Sequence, residues 1–250
     1  MDPRIRNHVR EIDRCNQRGG RMLSIRDLID AGTVNREMSS YLIAAVGKGS
    51  SFLVGARPGG AGKTTVMAAL LNFIPDIEII PTENSRVIAE GLEDPDMKCY
   101  VAHEIGSGHW YAYIWGKDVS DFLDLNETHM VAGNLHADDI SDVLGASGIN
   151  EDNITAIDVL IFLRMERGLH STRRRINAVF ENEGGHGEDA FKLIYRYDAE
   201  SDDFVRTADS EIVTQEDLER SLDIVALLYE RDLRTIEEVR SMVLEKLDAE

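Results

Sequence analysis

The order of apolar and polar positions along the chain predicts strands and helices in turn. Short apolar runs, the pattern of buried strands, lie at 51–56, 77–80, 99–103, 129–136, 159–163, 175–180, 191–197 and 204–206. Apolar residues at helical spacing predict helices at 24–32, 36–47, 63–74, 109–125, 137–144 and, near the end of the chain, over 211–247. Strands that alternate with helices indicate an α/β fold with a mainly parallel sheet.

A glycine-rich turn joins the first predicted strand to the helix at 63–74. It spans residues 55–65, with the sequence GARPGGAGKTT, and fits the phosphate-loop template G-x-x-x-x-G-K-[ST] except that Arg57 replaces the first glycine. Such a loop directs backbone N–H groups at a phosphate, and the N-terminus of the following helix adds partial positive charge. The predicted nucleotide-binding residues are Gly59, Gly60, Ala61, Gly62, Lys63, Thr64 and Thr65.

Two side chains of this loop have predicted roles. We expect Lys63 to reach the β- and γ-phosphates of ATP and Thr64 to offer its hydroxyl to Mg²⁺. Arg57 either extends over the nucleotide or points into solvent. A plain turn between strand and helix is the structural alternative, but four glycines followed by lysine and threonine in this context rarely coincide.

Three polar side chains follow other predicted strands. Glu104 and Glu83 come after two of the apolar runs, and His136 ends a third. Ligands bind at the carboxyl ends of strands in open α/β sheets, and a phosphate loop needs a carboxylate there that holds the Mg²⁺ shell or orients the attacking water. We therefore predict Glu104 as the first catalytic and metal-binding candidate, Glu83 as the second, and His136 as a sensor of the γ-phosphate. Taken singly, each residue is more commonly a polar group at the surface or the edge of the core.

Two other polar clusters have weaker functional readings. A zinc site built from His103, His109 and His136 is a weak alternative, because the template H-E-x-x-H requires histidine where the chain has Ser107. The arginines at 173–175 predict a structural or interface cluster more than a nucleic-acid patch, since the chain as a whole is acidic.

The composition is that of an acidic globular protein. The 250 residues contain 27 Lys+Arg and 46 Asp+Glu, a net charge of −19, and 43% are hydrophobic. This balance argues against a protein that binds nucleic acid directly or adheres to anionic lipid, because both need basic surfaces. Only six of the 27 basic residues are lysine, which suits a salt-adapted source, although an ordinary acidic protein explains it equally well. The cysteines, Cys15 and Cys99, suggest no disulfide framework.

The two ends of the chain differ in charge. Residues 1–26 contain seven arginines and three acidic residues, and their spacing fits a helix that ends at Gly19-Gly20. We expect this basic arm to contact the acidic surface of a neighbouring subunit. Residues 211–247 predict acidic helices, more commonly a solvated cap than an interaction module. Since no apolar run reaches about 18 residues and the first residues lack a secretory pattern, we expect a cytoplasmic protein without a transmembrane segment.

Together, the motifs resemble, in their order, the type II/IV secretion system ATPase family, the assembly motors of secretion systems, pili and archaella. The resemblance extends from about Arg21 to about Arg206. Residues 24–34 resemble the linker into the motor domain, 38–46 its first helix, 57–65 the Walker A loop, 80–84 the Asp box with Glu83, 101–104 the Walker B motif with Glu104, 133–139 the His box with His136, and 173–180 with 194–198 the closing strands.

This resemblance implies a RecA-like P-loop core at 23–210, preceded by the basic arm at 1–22 and followed by an acidic helical extension at 211–250. It also implies Mg²⁺-dependent hydrolysis of ATP, an archaeal secretion or filament machine, a homo-oligomer such as a hexamer, and a position at the inner face of the membrane on a membrane-protein platform. The chain departs from the family at Arg57 and at residues 103–107, which lack the Walker B arginine. We also expect it to lack the family's N-terminal domain, which usually contributes arginines to the neighbour's active site.

The leading prediction is therefore a P-loop ATPase. A nucleotide-binding switch or adaptor with little turnover is the first alternative, because of Arg57 and the missing domain. A P-loop enzyme such as a kinase is a second, although only the arginines at 173–175 could serve as a lid. A protein that only mediates assembly through its C-terminal helices is a third.

Overall fold

One mixed sheet is the framework of the protein. The structure is a computed structural model, and it describes residues 2–16, 19–146, 148–155, 157–168 and 171–249. Within these residues nine strands belong to the sheet. The strands are β1 (Phe52–Gly55), β2 (Ile79–Pro81), β3 (Cys99–Ile105), β4 (Tyr113–Ile114), β5 (Met130–Leu135), β6 (Val159–Arg167), β7 (Thr172–Asn182), β8 (Phe191–Asp198) and β9 (Asp203–Arg206).

The strand order places β1 in the interior of the sheet. The order is β2-β3-β5-β1-β6-β7-β8-β9, and the short β4 pairs with β3 beyond the end of β2. All pairings from β2 to β6 are parallel, whereas β6 to β9 form an antiparallel meander. The predicted α/β fold with a mainly parallel sheet is confirmed. Because β5 separates β1 from β3, side chains at the carboxyl ends of β1 and β3 must reach across β5 to meet.

Helices cover both faces of the sheet. They are α1 (Pro3–Arg14), α2 (Ile25–Asp30), α3 (Arg36–Gly47), α4 (Lys63–Leu71), α5 (Ser85–Glu93), α6 (Lys117–Asp124), α7 (Ile140–Leu144), α8 (Glu151–Ile154), α9 (Gln215–Glu230) and α10 (Ile236–Leu247). One apolar core lies between the sheet and α1–α4, α9 and α10, and the other between the sheet and α5–α8. Adjacent residues of β1, such as Leu53 and Val54, point into opposite cores, as expected of a parallel strand buried on both faces.

Local signals account for several helix ends. Asn35 accepts a hydrogen bond from the Met38 N–H at 2.9 Å, and so caps α3. Thr214 and Asp217 form a capping box at the start of α9, and Thr235 and Glu238 form the corresponding one at α10. The helices predicted at 36–47 and over 211–247 are confirmed, the latter as two helices.

The helix predicted at 109–125 is partly wrong. Its first half contains β4, and α6 begins only at Lys117. The backbone explains the difference, because Ala112 and Gly116 both have positive φ angles, of 52° and 65°, which interrupt a helix. The Ala112 carbonyl accepts the His103 N–H at 2.8 Å, and this bond fastens the segment to β3. The prediction also missed α5, which Asn84 caps.

The N-terminal helix lies against the rest of the chain. α1 packs on α10 and β2, and its residues Ile5 and Ile12 are buried. Arg4 forms ion pairs with Asp76 at 2.7 Å and with Asp248 at 3.0 Å. The helix predicted in the basic arm is present as α1, and its residues Arg4, Arg10 and Arg14 meet acidic groups of the same chain. The contact with a neighbouring subunit stays a prediction.

Arg240 joins the C-terminal helices to the end of α4. Its side chain is only 1% exposed, and it donates to the carbonyl oxygens of Asn72 at 3.2 Å, Ile74 at 2.5 Å and Pro75 at 2.9 Å. Burial lowers the pKa of its guanidinium to about 10, so it stays charged at neutral pH. A cation at this position complements both the free carbonyls and the negative end of the α4 dipole.

We predict that Arg240→Met destabilises the protein by about 3 kcal/mol, because buried carbonyls would lose their donor. Urea unfolding followed by circular dichroism measures the change. Arg220→Met is the matched control, since Arg220 is exposed on α9 and pairs with Glu216 at the surface; it should change little. Equal losses in both variants would show that Arg240 contributes no more than a surface arginine.

A second prediction concerns pH. His8 of α1 is 5% exposed, and burial together with the nearby Arg240 charge lowers its pKa well below 6.5. Because the folded-state pKa is depressed, this histidine's contribution to stability is complete above about pH 6.5 and is lost as the pH falls toward the folded-state value. The free energy of unfolding should fall by up to about 1.4 kcal/mol per pH unit in that range from this group. The variant His8→Asn should show a shallower acid slope; an unchanged slope would contradict the prediction.

Candidate functional site

The loop between β1 and α4 has the backbone of a tight turn into a helix. Gly60 and Gly62 have φ angles of 84° and 105°, in the left-handed region that glycine adopts most readily. Gly62 stands at the N-cap of α4, and its carbonyl accepts the Val66 N–H at 2.9 Å. The N–H groups of the first turn of α4 have no acceptors within the helix, so they face the loop. This is the arrangement that binds anions at helix N-termini.

Lys63 lies almost completely inside the site. It is 7% exposed, and its Nζ donates to the carbonyl oxygen of Ala56 at 3.1 Å. The same Nζ lies 3.4 Å from Glu104 Oε2 and 3.5 Å from His136 Nδ1. The structure therefore brings together three of the predicted site residues: Lys63 of α4, Glu104 of β3, and His136, which follows β5.

A bulge in β3 aims the Glu104 side chain at this cluster. Ala102 pairs with Gly133 of β5 and Ile105 with Leu135, so two residues of β3, His103 and Glu104, oppose one residue of β5. That residue, Asn134, donates its side-chain amide to the His103 carbonyl at 2.8 Å, which supports the bulge.

Glu104 is a buried carboxylate with one free oxygen. It is 7% exposed, and its Oε1, 3.7 Å from His136 Nε2, makes no hydrogen bond within the described part of the chain. Burial raises the pKa of the carboxyl above 4.5, while Lys63 and His136 partly oppose the shift. A carboxylate with a raised pKa is a stronger proton acceptor than a solvated one.

His136 links the loop to the carboxylate. Its side chain is 55% exposed, and its Nδ1 is 3.1 Å from the Arg57 carbonyl oxygen. The protonated Nδ1 donates to that carbonyl, whereas the unprotonated Nδ1 accepts from Lys63. In either tautomer the imidazole contacts both the loop and the Lys63–Glu104 pair.

The start of the loop is fastened to α7. The Arg57 N–H donates to Asp138 Oδ1 at 2.8 Å, and the Arg57 guanidinium pairs with Asp142. The side chain is 63% exposed, in keeping with the solvent-facing orientation expected from the sequence, and its guanidinium is held at the surface by Asp142. The sequence analysis missed the roles of Asp138 and Asp142, although their positions near the start of α7 are a signal for contacts to N–H groups.

Glu83 lies with a different set of residues. It follows β2, which is three strands from β1, roughly 14 Å at the usual spacing of about 4.8 Å. Its carboxylate pairs with Arg14 of α1 at 3.5 Å and lies near Tyr111, whose hydroxyl donates to Glu11 of α1 at 3.2 Å. The structure therefore places Glu104 in the Lys63 cluster and Glu83 beside α1.

The residues present fit Mg²⁺ bound together with a phosphate ligand. Mg²⁺ needs only one or two protein oxygens when phosphates supply others, and Glu104 Oε1 is a buried oxygen without a hydrogen-bond partner among the described residues. No group of three or more His, Cys, Asp or Glu suited to a metal occurs in that part of the chain. The three histidines considered for zinc are not brought together, and His103 instead contacts Cys15 Sγ at 2.8 Å.

Over the described ranges, no helix has the length and apolar character to cross a membrane.

Comparison with known proteins gives distant structural neighbours. No protein-family model matches the chain, and no curated protein matches it. The VirB11 ATPase from the Brucella suis type IV secretion system, crystallised in complex with sulphate, is similar at 18% identity and a TM-score of 0.39, over 62% of this chain and 54% of that one. The Legionella pneumophila ATPase DotB is similar at 13% identity and a TM-score of 0.38, over 82% of this chain and 60% of that one. The chain thus aligns with less than two thirds of either neighbour.

We predict that Lys63 and Glu104 are energetically coupled. Removing one partner leaves the other charge buried, so Lys63→Met and Glu104→Gln should each destabilise the protein by about 1–3 kcal/mol, and the double variant by at least about 1 kcal/mol less than their sum. Urea unfolding of the four proteins measures this cycle. The control cycle uses Lys117 and Asp121, also 3.4 Å apart but with side chains 87% and 32% exposed, where coupling should be close to zero. Additive effects at Lys63 and Glu104 would show that the pair does not interact.

Proposed function

We propose that the protein binds ATP with Mg²⁺ and hydrolyses it to ADP and phosphate. The observation that carries this proposal is the contact at 3.4 Å between Lys63, the lysine of a phosphate loop, and Glu104, a buried carboxylate at the carboxyl end of the sheet. A cation for the phosphates and a base for water are the two groups that phosphoryl transfer to water requires.

The loop would bind the phosphates. The N–H groups of residues 59–65 and the N-terminus of α4 supply fixed partial positive charge, and Lys63 Nζ supplies a full charge that moves from Glu104 to the β- and γ-phosphates. The Thr64 hydroxyl and Glu104 would hold Mg²⁺, directly or through water. When bound, the ion would neutralise charge that builds up on the phosphate oxygens.

Glu104 would act as the base. As a water oxygen forms its bond to the γ-phosphorus, the carboxylate accepts the water proton, the bond from phosphorus to the bridging oxygen breaks, and ADP leaves with the electron pair. Burial and the raised pKa support this role. Glu83 is the weaker candidate, since its partners Arg14 and Tyr111 lie elsewhere.

His136 would report the state of the γ-phosphate. Its contacts with the Arg57 carbonyl, Lys63 and Glu104 mean that a displacement of either charged side chain changes its surroundings. Because it is half exposed, the imidazole can pass such a change to a neighbouring subunit.

A wider role as an assembly motor follows from the motif order in the sequence. We propose a core at 23–210 with the helical extension at 211–250, a homo-oligomer such as a hexamer, and work at the inner face of a membrane on a membrane-protein platform. Supporting this, the Walker A, Asp box, Walker B and His box residues occur in the order of the secretion ATPase family.

Phosphate release from ATP and Mg²⁺ tests the proposal, with binding measured in parallel by calorimetry. Lys63→Ala should lose both binding and hydrolysis. Glu104→Gln should bind ATP but release phosphate at least about 100-fold more slowly, whereas Glu83→Gln should lose less than about tenfold.

Two results would contradict this scheme in different ways. Tight ATP binding without phosphate release by the native protein would favour the switch or adaptor. A native rate in Glu104→Gln would show that another group activates the water.

A further inference from the structure

The hairpin of β6 and β7 extends past the phosphate loop. β6 pairs with β1 as far as Phe162 opposite Gly55, and then continues to Arg167 beyond the end of β1. β7 returns antiparallel to this extension, with Arg174 opposite Met165. The extension therefore runs alongside the loop that follows β1, so that residues of β7 can touch it.

Arg174 touches the loop at two glycines. Its Nε donates to the Gly60 carbonyl oxygen at 2.8 Å, and its Cδ lies 3.4 Å from the position that a Cβ would take on Gly62. The neighbouring arginines are directed differently, because Arg173 and Arg175 pair with Asp202 at 3.5 Å and 3.4 Å. The triplet is thus divided between the phosphate loop and the β8–β9 turn.

The bond to Gly60 fixes the direction of a backbone N–H group. A trans peptide unit holds its C=O and N–H on opposite sides, and the bond between Gly60 and Ala61 is trans. With the carbonyl directed at Arg174, the Ala61 N–H points back into the loop, where Pro58 O accepts it at a long 3.3 Å. A phosphate oxygen inside the loop would compete well for that weakly bonded donor.

This peptide unit needs an external restraint. Rotation of the unit changes ψ of Gly60 and φ of Ala61, and Gly60, which has no Cβ and a φ of 84°, restricts its own end of the unit little. Rotation of the unit would turn the carbonyl oxygen into the loop, and a carbonyl dipole repels phosphate. A charge-assisted hydrogen bond from an arginine outside the loop opposes that rotation.

We propose that Arg174 is a positioning residue, which holds the Gly60–Ala61 peptide with its N–H directed at the bound polyphosphate. The identity of the ligand, a polyphosphate, rests on the proposed function. The restraint of the Gly60–Ala61 peptide by Arg174 does not depend on it. Its action is on the diphosphate-binding loop, so it should serve ADP and ATP alike. In this respect it differs from an arginine that contacts the γ-phosphate.

Calorimetric titration with Mg²⁺ and ADP tests the effect on binding. Arg174→Met should weaken ADP binding about tenfold, the loss of a charge-assisted hydrogen bond, and Arg174→Lys, which keeps a donor, should weaken it by less. Arg173→Met removes the same charge from the adjacent residue and should bind ADP like the native protein. Thermal unfolding of each variant shows that the fold is retained.

Hydrogen exchange of the nucleotide-free proteins tests the restraint directly. Amides of peptides that cover residues 57–62 should exchange faster in Arg174→Met than in the native protein and in Arg173→Met. This readout needs no nucleotide, so it would still support the restraint if the native protein failed to bind ADP and the proposed function were wrong.

Three results would overturn the inference. One is unchanged loop exchange in Arg174→Met. Another is native ADP affinity in that variant with a loss confined to ATP, which would assign Arg174 to the γ-phosphate. The third is an equal loss of ADP affinity in Arg173→Met, which would attribute the effect to the charge of the hairpin.

Discussion

The contact between Lys63 and Glu104 is the interaction on which the site depends. Both side chains are less than a tenth exposed, and an isolated charge in either position would be costly because burial removes its hydration. Each therefore stabilises the other at the point where β1 and β3 end and α4 begins. A polyphosphate that takes Lys63 as its partner would release a carboxylate whose pKa burial has already raised. Until such a ligand binds, the positive charge of Lys63 and the negative charge of Glu104 neutralise each other.

The scaffold restrains this pair from several directions. The β3 bulge aims Glu104, Asp138 holds the start of the loop, and Arg174 holds its middle. At the far end of α4, the buried Arg240 binds the last carbonyls and connects that helix to the C-terminal helices. A ligand that displaces α4 at its N-terminus would therefore also change the contacts of Arg240 on α10. The C-terminal helices therefore pack around α4. The acidic composition of these helices does not predict that packing.

Much of the arrangement could be predicted from the sequence, and the failures share a cause. The alternating elements, the loop before α4 and a carboxylate after an apolar strand are local patterns, and the structure brings Lys63, Glu104 and His136 together as those patterns suggest. The bulge and the contacts of Arg174 depend on residues far apart in the chain, so no local period signals them. At 109–116 a helical spacing of apolar residues was misleading, because hydrogen bonds to β3 determine the backbone there. Glu83 has the same local signal as Glu104, and only the strand order separates the two.

A crystal structure with ADP, Mg²⁺ and aluminium fluoride, which together imitate the transferring phosphoryl group, tests the proposed roles of Lys63 and Glu104 most directly. We expect Lys63 Nζ to leave Glu104 for the phosphate and fluoride ligands, the N–H groups of the loop to surround the β-phosphate, and Glu104 to face a water in line with the aluminium. A structure in which the nucleotide lies elsewhere, or in which the Lys63–Glu104 contact persists beside the bound nucleotide, would contradict these roles.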